Sequence, residues 1–141
     1  MYWDNQYSVY ILGSAGSGST LTSAYSGNTS TNDVRGHKVA VLYVEYTPAD
    51  SASDCYIQIE AGPDESTLFP KTAFIDIGTA GESSTRNHIF KLEAASAGTP
   101  VKTRIFVELA DVKMRVSAKE TTAGSFGTIK IILGRCEQFG N

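Results

Sequence analysis

Any chemistry this chain performs must come from few side chains, and their spacing is unhelpful for each reaction in turn. The 141 residues include two histidines, His37 and His88, and two cysteines, Cys55 and Cys136. A zinc site needs three or four closely arranged ligands, and these residues supply no such spacing. Asp50 and Asp54 share a loop that lacks the glycine and the distal glutamate of a calcium hand. Serine is abundant, yet no G-x-S-x-G nucleophile elbow stands in a strand–turn–helix setting. Glu45, Glu60 and Asp76 could in principle pair across a cleft for glycoside hydrolysis. Each instead occupies the polar phase of an alternating strand. The run from Gly13 to Thr20, GSAGSGST, superficially resembles a phosphate-binding loop. It lacks the Gly-Lys-Ser/Thr ending, and no helical pattern follows. The expectation is therefore no enzyme, no cofactor, no metal and no catalytic residue, with a hydrolase on a sandwich scaffold as the remotest alternative.

Binding is better supplied. Tyr43 or Tyr46, Tyr56 and Phe106 are aromatic residues on strand faces, able to stack on sugars as in a carbohydrate-binding module. The same residues would serve as cross-strand pairs or as a contact between subunits. Single-stranded nucleic acid would require basic residues among the aromatics, and only Arg104, Arg115 and Phe106 approach that pattern. The net charge of −3 also speaks against nucleic acid. That total hides a split: residues 1–85 carry three basic and ten acidic residues, and residues 86–141 carry nine and five. Either the strands interleave and the charges average out, or opposed charged surfaces help copies meet each other or a shared lattice. The opening MYWDNQYSVYILG lacks the basic segment and apolar run of a signal peptide. No window reaches the ~18 apolar residues of a membrane helix. No membrane partner is expected. Free, semi-buried thiols are therefore expected at Cys55 and Cys136, and the Asn28-Thr29-Ser30 sequon reads as incidental.

The elements that would position these residues are strands. Gly, Ser and Thr separate short runs rich in Val, Ile, Tyr and Phe, which predicts an all-β, antiparallel sandwich of about eight strands, a jelly roll or another Greek key. Tyr7 to Leu12 is a short strand, and His37 to Thr47 is a long one with apolar residues on both faces. Cys55 to Ala61, Thr72 to Ile77, Arg86 to Ala94 and Gly127 to Arg135 follow, with a short helix possible around Leu92 to Ser96. From Val101 to Glu120 the alternation is strongest. Its parity breaks at Ala110-Asp111, which predicts a tight hairpin pairing Leu109 with Val112, Glu108 with Lys113 and Phe106 with Arg115. Residues 1–33 read as an N-terminal arm and a Gly/Ser/Thr-rich loop with one short strand, ahead of a sandwich domain at 34–141.

The stretch FIDIGTAGESSTRNHIFKLEAASAGTPVKTRIFVELADVKMRVSAKETTAGSFGTIKIILGR, across roughly residues 74–135, resembles small β-sandwich virion proteins of tailed bacteriophages. The shared features are strands with basic and acidic outward residues, then a Gly-Ser-Phe-Gly-Thr loop leading into a last alternating strand. The resemblance implies a structural virion protein, a capsid decoration or cement protein, that self-associates and binds a major capsid or other virion protein. A trimer is favoured by analogy with decoration proteins, with assembly in the host bacterial cytoplasm. The interface residues expected on this reading are Tyr2, Trp3, Tyr7, Tyr10, Tyr46, Tyr56, Arg104, Phe106 and Arg115.

Overall fold

Alternating β-branched and aromatic residues cannot bury one face of an isolated strand, so they must pair and stack. The computed structural model describes residues 3–4, 7–27, 31–76, 85–136 and 138–139, and every regular element among them is a strand. In chain order these are β1 (Trp3–Asp4), β2 (Tyr7–Leu12), β3 (Ser19–Thr20), β4 (Ser26–Gly27) and β5 (Asn32–Asp33). The long strands β6 (Val39–Thr47) and β7 (Asp54–Asp64) follow, then β8 (Thr67–Pro70), β9 (Ala73–Asp76), β10 (Thr85–Asn87) and β11 (Ile89–Glu93). The chain closes with β12 (Val101–Glu108), β13 (Lys113–Thr121), β14 (Thr128–Cys136) and β15 (Gln138–Phe139).

One sheet runs β10-β9-β12-β6-β14-β2, with β3 also on β14; the other runs β11-β7-β13-β4, with β5 on β13 and β8 on β7. Every pairing is antiparallel. The principal positions in chain order are β2, the β4/β5 edge, β6, β7, β11, β12, β13 and β14. Their spatial order is first-eighth-third-sixth in one sheet and second-seventh-fourth-fifth in the other. That is a jelly roll, which selects one of the two sandwich types expected. The β9–β10 hairpin widens the first sheet beyond β12. The β1–β15 ribbon continues the β2–β14 pair in the same register, from Tyr7 opposite Arg135 to Asp4 opposite Gln138 and Trp3 opposite Phe139.

The hairpin expected across Ala110-Asp111 does not form. β12 pairs with β6 and β9, whereas β13 pairs with β7, β4 and β5. The parity break is a corner where the chain leaves one sheet and enters the other. The Leu109 N–H donates to the Lys38 carbonyl of the first sheet's side (2.9 Å), and the Val112 N–H to Gly62 on the second (3.1 Å). The inward phase was read correctly: Ile105, Val107, Met114 and Val116 are all fully buried, but they face one another across the sandwich. The possible helix near Leu92 is a strand instead, because Leu92 lies inward in β11 opposite Cys55. The Arg86-to-Ala94 run divides into β10 and β11, one in each sheet.

Leu42, Ile57, Ile59, Ile129, Ile131 and Leu133 complete the shared core. Each such side chain contributes roughly 1.5–3 kcal/mol on burial. Beyond β2, the segment before residue 34 also carries β3, β4 and β5, and Leu21 is buried in the core. The Asn28-Thr29-Ser30 sequon and residues 77–84, which include Ile77 at the end of the expected Thr72-to-Ile77 strand, lie outside the described residues.

At one end of the sandwich the connections after β3, β6, β11 and β13 meet. The Gly98 N–H donates to Pro48 O (2.7 Å), Ala94 to Ser53 O (3.0 Å) and Leu21 to Gly127 O (2.9 Å). Beneath them sits Glu120, a fully buried acid on β13. Its Oε2 accepts from the Tyr46 hydroxyl, and its Oε1 accepts from the Gly127 N–H at 2.7 Å. Burial, then the hydrogen bond to this carboxylate and its charge, push the Tyr46 phenol well above its ordinary range. Cys55, opposite Glu120 in register, is a free buried thiol, pushed up to about 12 by burial and secondarily by Glu120.

Candidate functional site

The first sheet exposes its outer face, and the register across it assembles residues distant in sequence. β6 lies at its centre with burial alternating along its length, so Val41, Tyr43 and Glu45 point outward. Tyr43 stands opposite Ile132 of β14 and Arg104 of β12. Ile132 in turn stands opposite Tyr10 of β2, and Arg104 opposite Asp76 of β9. One cross-strand row therefore reads Tyr10, Ile132, Tyr43, Arg104, Asp76. The adjacent row places Glu45 between Lys130 on β14 and Lys102 on β12.

A cavity of about 500 Å³ lies over these two rows. One part of its lining is Ala15, at the tip of the serine-glycine loop. Gly13 bends the chain there with φ 74°, a left-handed conformation that strains any residue bearing a Cβ. The Ser14 N–H then donates to Ser17 O (2.8 Å), closing a tight turn. The Lys130 ammonium reaches the Ala15 carbonyl at 3.5 Å. So the loop without a phosphate-binding ending does border a basic recess. Tyr10 and Tyr43 are 39% and 37% exposed in it.

The residues expected at an interface are distributed over both outer faces. Tyr10, Arg104 and Phe106 lie on the first sheet, Phe106 between Val41 and Phe74 in register. Tyr56 and Arg115 lie on the second. There Arg115 holds Glu60 (2.8 Å), and Lys119 sits over the rings of Tyr25 (4.9 Å) and Tyr56 (5.5 Å). Phe106 and Arg115 are thus not partners, and Glu108 and Lys113 are not either; Lys113 approaches Asp33 at 3.8 Å. Tyr46 is a correction: it is fully buried, because its inward phase and its bond to Glu120 place it in the core. Trp3 and Tyr7 are placed by backbone register on β1 and β2, and Tyr2 lies outside the described residues. Glu45 and Glu60, considered for a hydrolytic pair, face outward from different sheets. Lys102, Lys130 and Ile132 were not singled out for any site, and Glu45 was considered only for that hydrolytic pair. Their alternation was visible, but their convergence depends on strand neighbours 57 to 89 residues apart, from Lys102 opposite Glu45 to Ile132 opposite Tyr43.

This architecture, two antiparallel sheets in jelly-roll order with an open recess on one face, belongs to a class that includes viral capsid and lectin domains. No protein-family model and no curated protein matches the chain. Among solved structures, the crystal structure of SPBc2 prophage-derived protein YomS is similar in fold, with a TM-score of 0.56. The match covers 94% of this chain and 92% of that one at 9% sequence identity, so the likeness is one of architecture. Among the described residues no helix is long and apolar enough to cross a membrane.

Proposed function

We propose that the chain is a structural component of a bacteriophage particle, a jelly-roll subunit that self-associates and seats on a virion protein lattice as a capsid decoration or cement protein. The observation that carries this reading is the edge of the first sheet. β2 is its last strand, and among the described residues no strand pairs its outer side. Its sequence, YSVYIL, contains no lysine, proline or other charge to guard that edge, and Val9 and Tyr10 are 44% and 39% exposed. Natural sheets protect such edges unless a partner covers them. The shared architecture with a prophage-derived protein supports the phage setting. The role is non-catalytic, and the subunit is assembled in the host cytoplasm into the virion.

Size-exclusion chromatography with light scattering tests the assembly. A trimer is expected, three times the 15.1 kDa chain mass, and Val9→Lys should return the monomer while circular dichroism stays unchanged. Removing residues 1–6, which spares β2, should weaken the trimer without unfolding the sandwich. A wild-type monomer at ~100 μM, a concentration at which a standard interface of roughly 1,200–2,000 Å² stays closed, would refute self-association.

A further inference from the structure

The two outer faces handle charge differently. On the second sheet and its margin, the described cations have partners. Lys91 pairs with Glu93 (3.3 Å) and Asp54 (3.8 Å), Arg115 with Glu60, Lys113 with Asp33, and Lys119 covers two tyrosine rings. In the recess on the first sheet, Lys102, Arg104 and Lys130 surround Glu45, and Asp76 stands opposite Arg104 in register, so the cations exceed the acids by one. Among the described residues none of the three cations forms an ion pair within 4 Å. A chain with net charge −3 thus gathers a local positive excess beside two half-exposed phenol rings. Clustered like charges repel, and an anion seated among them relieves that repulsion while gaining charge-assisted hydrogen bonds.

We propose that this recess binds an acidic saccharide, a sugar bearing a carboxylate or phosphate group. The anionic group sits among Lys102, Lys130 and Arg104. The apolar face of the sugar ring lies on Tyr43, which has Ile132 beside it in the row, as ring faces pack on aromatic side chains. Glu45 selects against a purely anionic chain. It requires hydrogen-bond donors from the ligand, and the ring hydroxyls supply them. The volume of about 500 Å³ suits a compact ligand, within the roughly 300–1,000 Å³ range of small-molecule sites. A recess bordered by the Ala15 turn is a poorer seat for the broad surface of a folded protein. The recess meets the β2 edge at Tyr10, so the test leaves that residue untouched and alters Lys102, Lys130 and Tyr43 on other strands; an acidic-sugar function and assembly can then fail independently.

Calorimetric titration tests it with trigalacturonate and glucose 6-phosphate as probes. Neutral maltotriose, inorganic phosphate and tetraglutamate serve as controls. At least one acidic saccharide should bind tenfold or more tightly than maltotriose and than phosphate, and weaken as salt is raised. Lys102→Gln with Lys130→Gln should reduce that affinity tenfold or more. Tyr43→Ala should reduce it at least threefold, with circular dichroism and oligomeric state unchanged in both variants. No binding of either acidic saccharide would overturn the proposal. Equal affinity for phosphate with no effect of Tyr43→Ala would reduce the recess to a general anion site. Preference for tetraglutamate, or a changed oligomeric state in the variants, would assign the face to an acidic protein partner and refute the saccharide.

Discussion

Replacing Tyr46 by Phe and Glu120 by Ala, singly and together, tests whether the buried acid acts as a clasp for the loop-bearing end of the sandwich. Glu120 is fully buried, and among the described residues no lysine or arginine pairs with it. Its two oxygens are satisfied by the Tyr46 hydroxyl and the Gly127 N–H. Tyr46→Phe leaves Oε2 without that donor, a desolvation cost of roughly 1–3 kcal/mol. Glu120→Ala orphans both the phenol and the Gly127 N–H and leaves a small void, so about 3–5 kcal/mol is expected. The double variant removes the phenol that Glu120→Ala alone strands. It should therefore fall short of the sum by about 1–2 kcal/mol, as contacting residues couple. Urea titration monitored by circular dichroism measures each difference by linear extrapolation. In melting temperature, at about 3 °C per kcal/mol for a chain of 141 residues, Tyr46→Phe alone should cost roughly 3–9 °C. Additivity within ~0.3 kcal/mol, or a Tyr46→Phe cost below ~0.5 kcal/mol, would refute the clasp.

The same end of the molecule predicts an alkaline weakness and a glycine requirement. The Cys55 thiol lies near 12 in the folded chain, against 9.0 ordinarily. The folded state thus holds its proton more tightly, and the stability this confers is complete below pH ~9 and is lost as pH rises towards 12. Cys55→Ala should flatten the decline between pH 9 and 11 in urea titrations while lowering stability at pH 7; an unchanged slope would contradict the assignment. A Cβ on Gly127 would collide with the Thr47 carbonyl and press on Pro48. Gly127→Ala should therefore cost roughly 1–3 kcal/mol, the usual penalty of overpacking, whereas Ala at open Gly16 should be nearly silent.

What the sequence made legible was phase, and what it left hidden was partnership. Ile105 and Val107, like Met114 and Val116, announce an inward face by strict alternation, and all are buried. Alternation is a local property and says nothing of which strand lies alongside. A parity break looks the same whether the chain turns back on itself or crosses to another sheet, and Ala110-Asp111 does the latter. Tyr46 shows the second limit. On a central strand with apolar residues on both faces, an aromatic residue is equally consistent with inside and outside, and its buried partner Glu120 lies 74 residues away. The binding face suffered likewise. Lys102 and Arg104 were visible as outward residues of one strand, but their meeting with Lys130 and Tyr43 follows from β6 lying between β12 and β14. Tyr7 to Leu12 was bounded correctly because its flanks, Gly13 above all, carry their own turn chemistry.

The place of β14 has a consequence for how the molecule comes into being. It lies between β6 and β2, yet it is the last of the long strands to leave the ribosome. Until then β2 has no neighbour and β6 presents a bare side, so the first sheet closes only after most of the chain has been made. Such non-local closure is slow, in the range of milliseconds to seconds for β-sandwiches. During that interval the vacancy between β2 and β6 accepts a β14 from any nascent copy nearby. High local synthesis therefore favours exchange of this strand between copies, and a strand-swapped dimer is the misassembly to look for in overexpressed material.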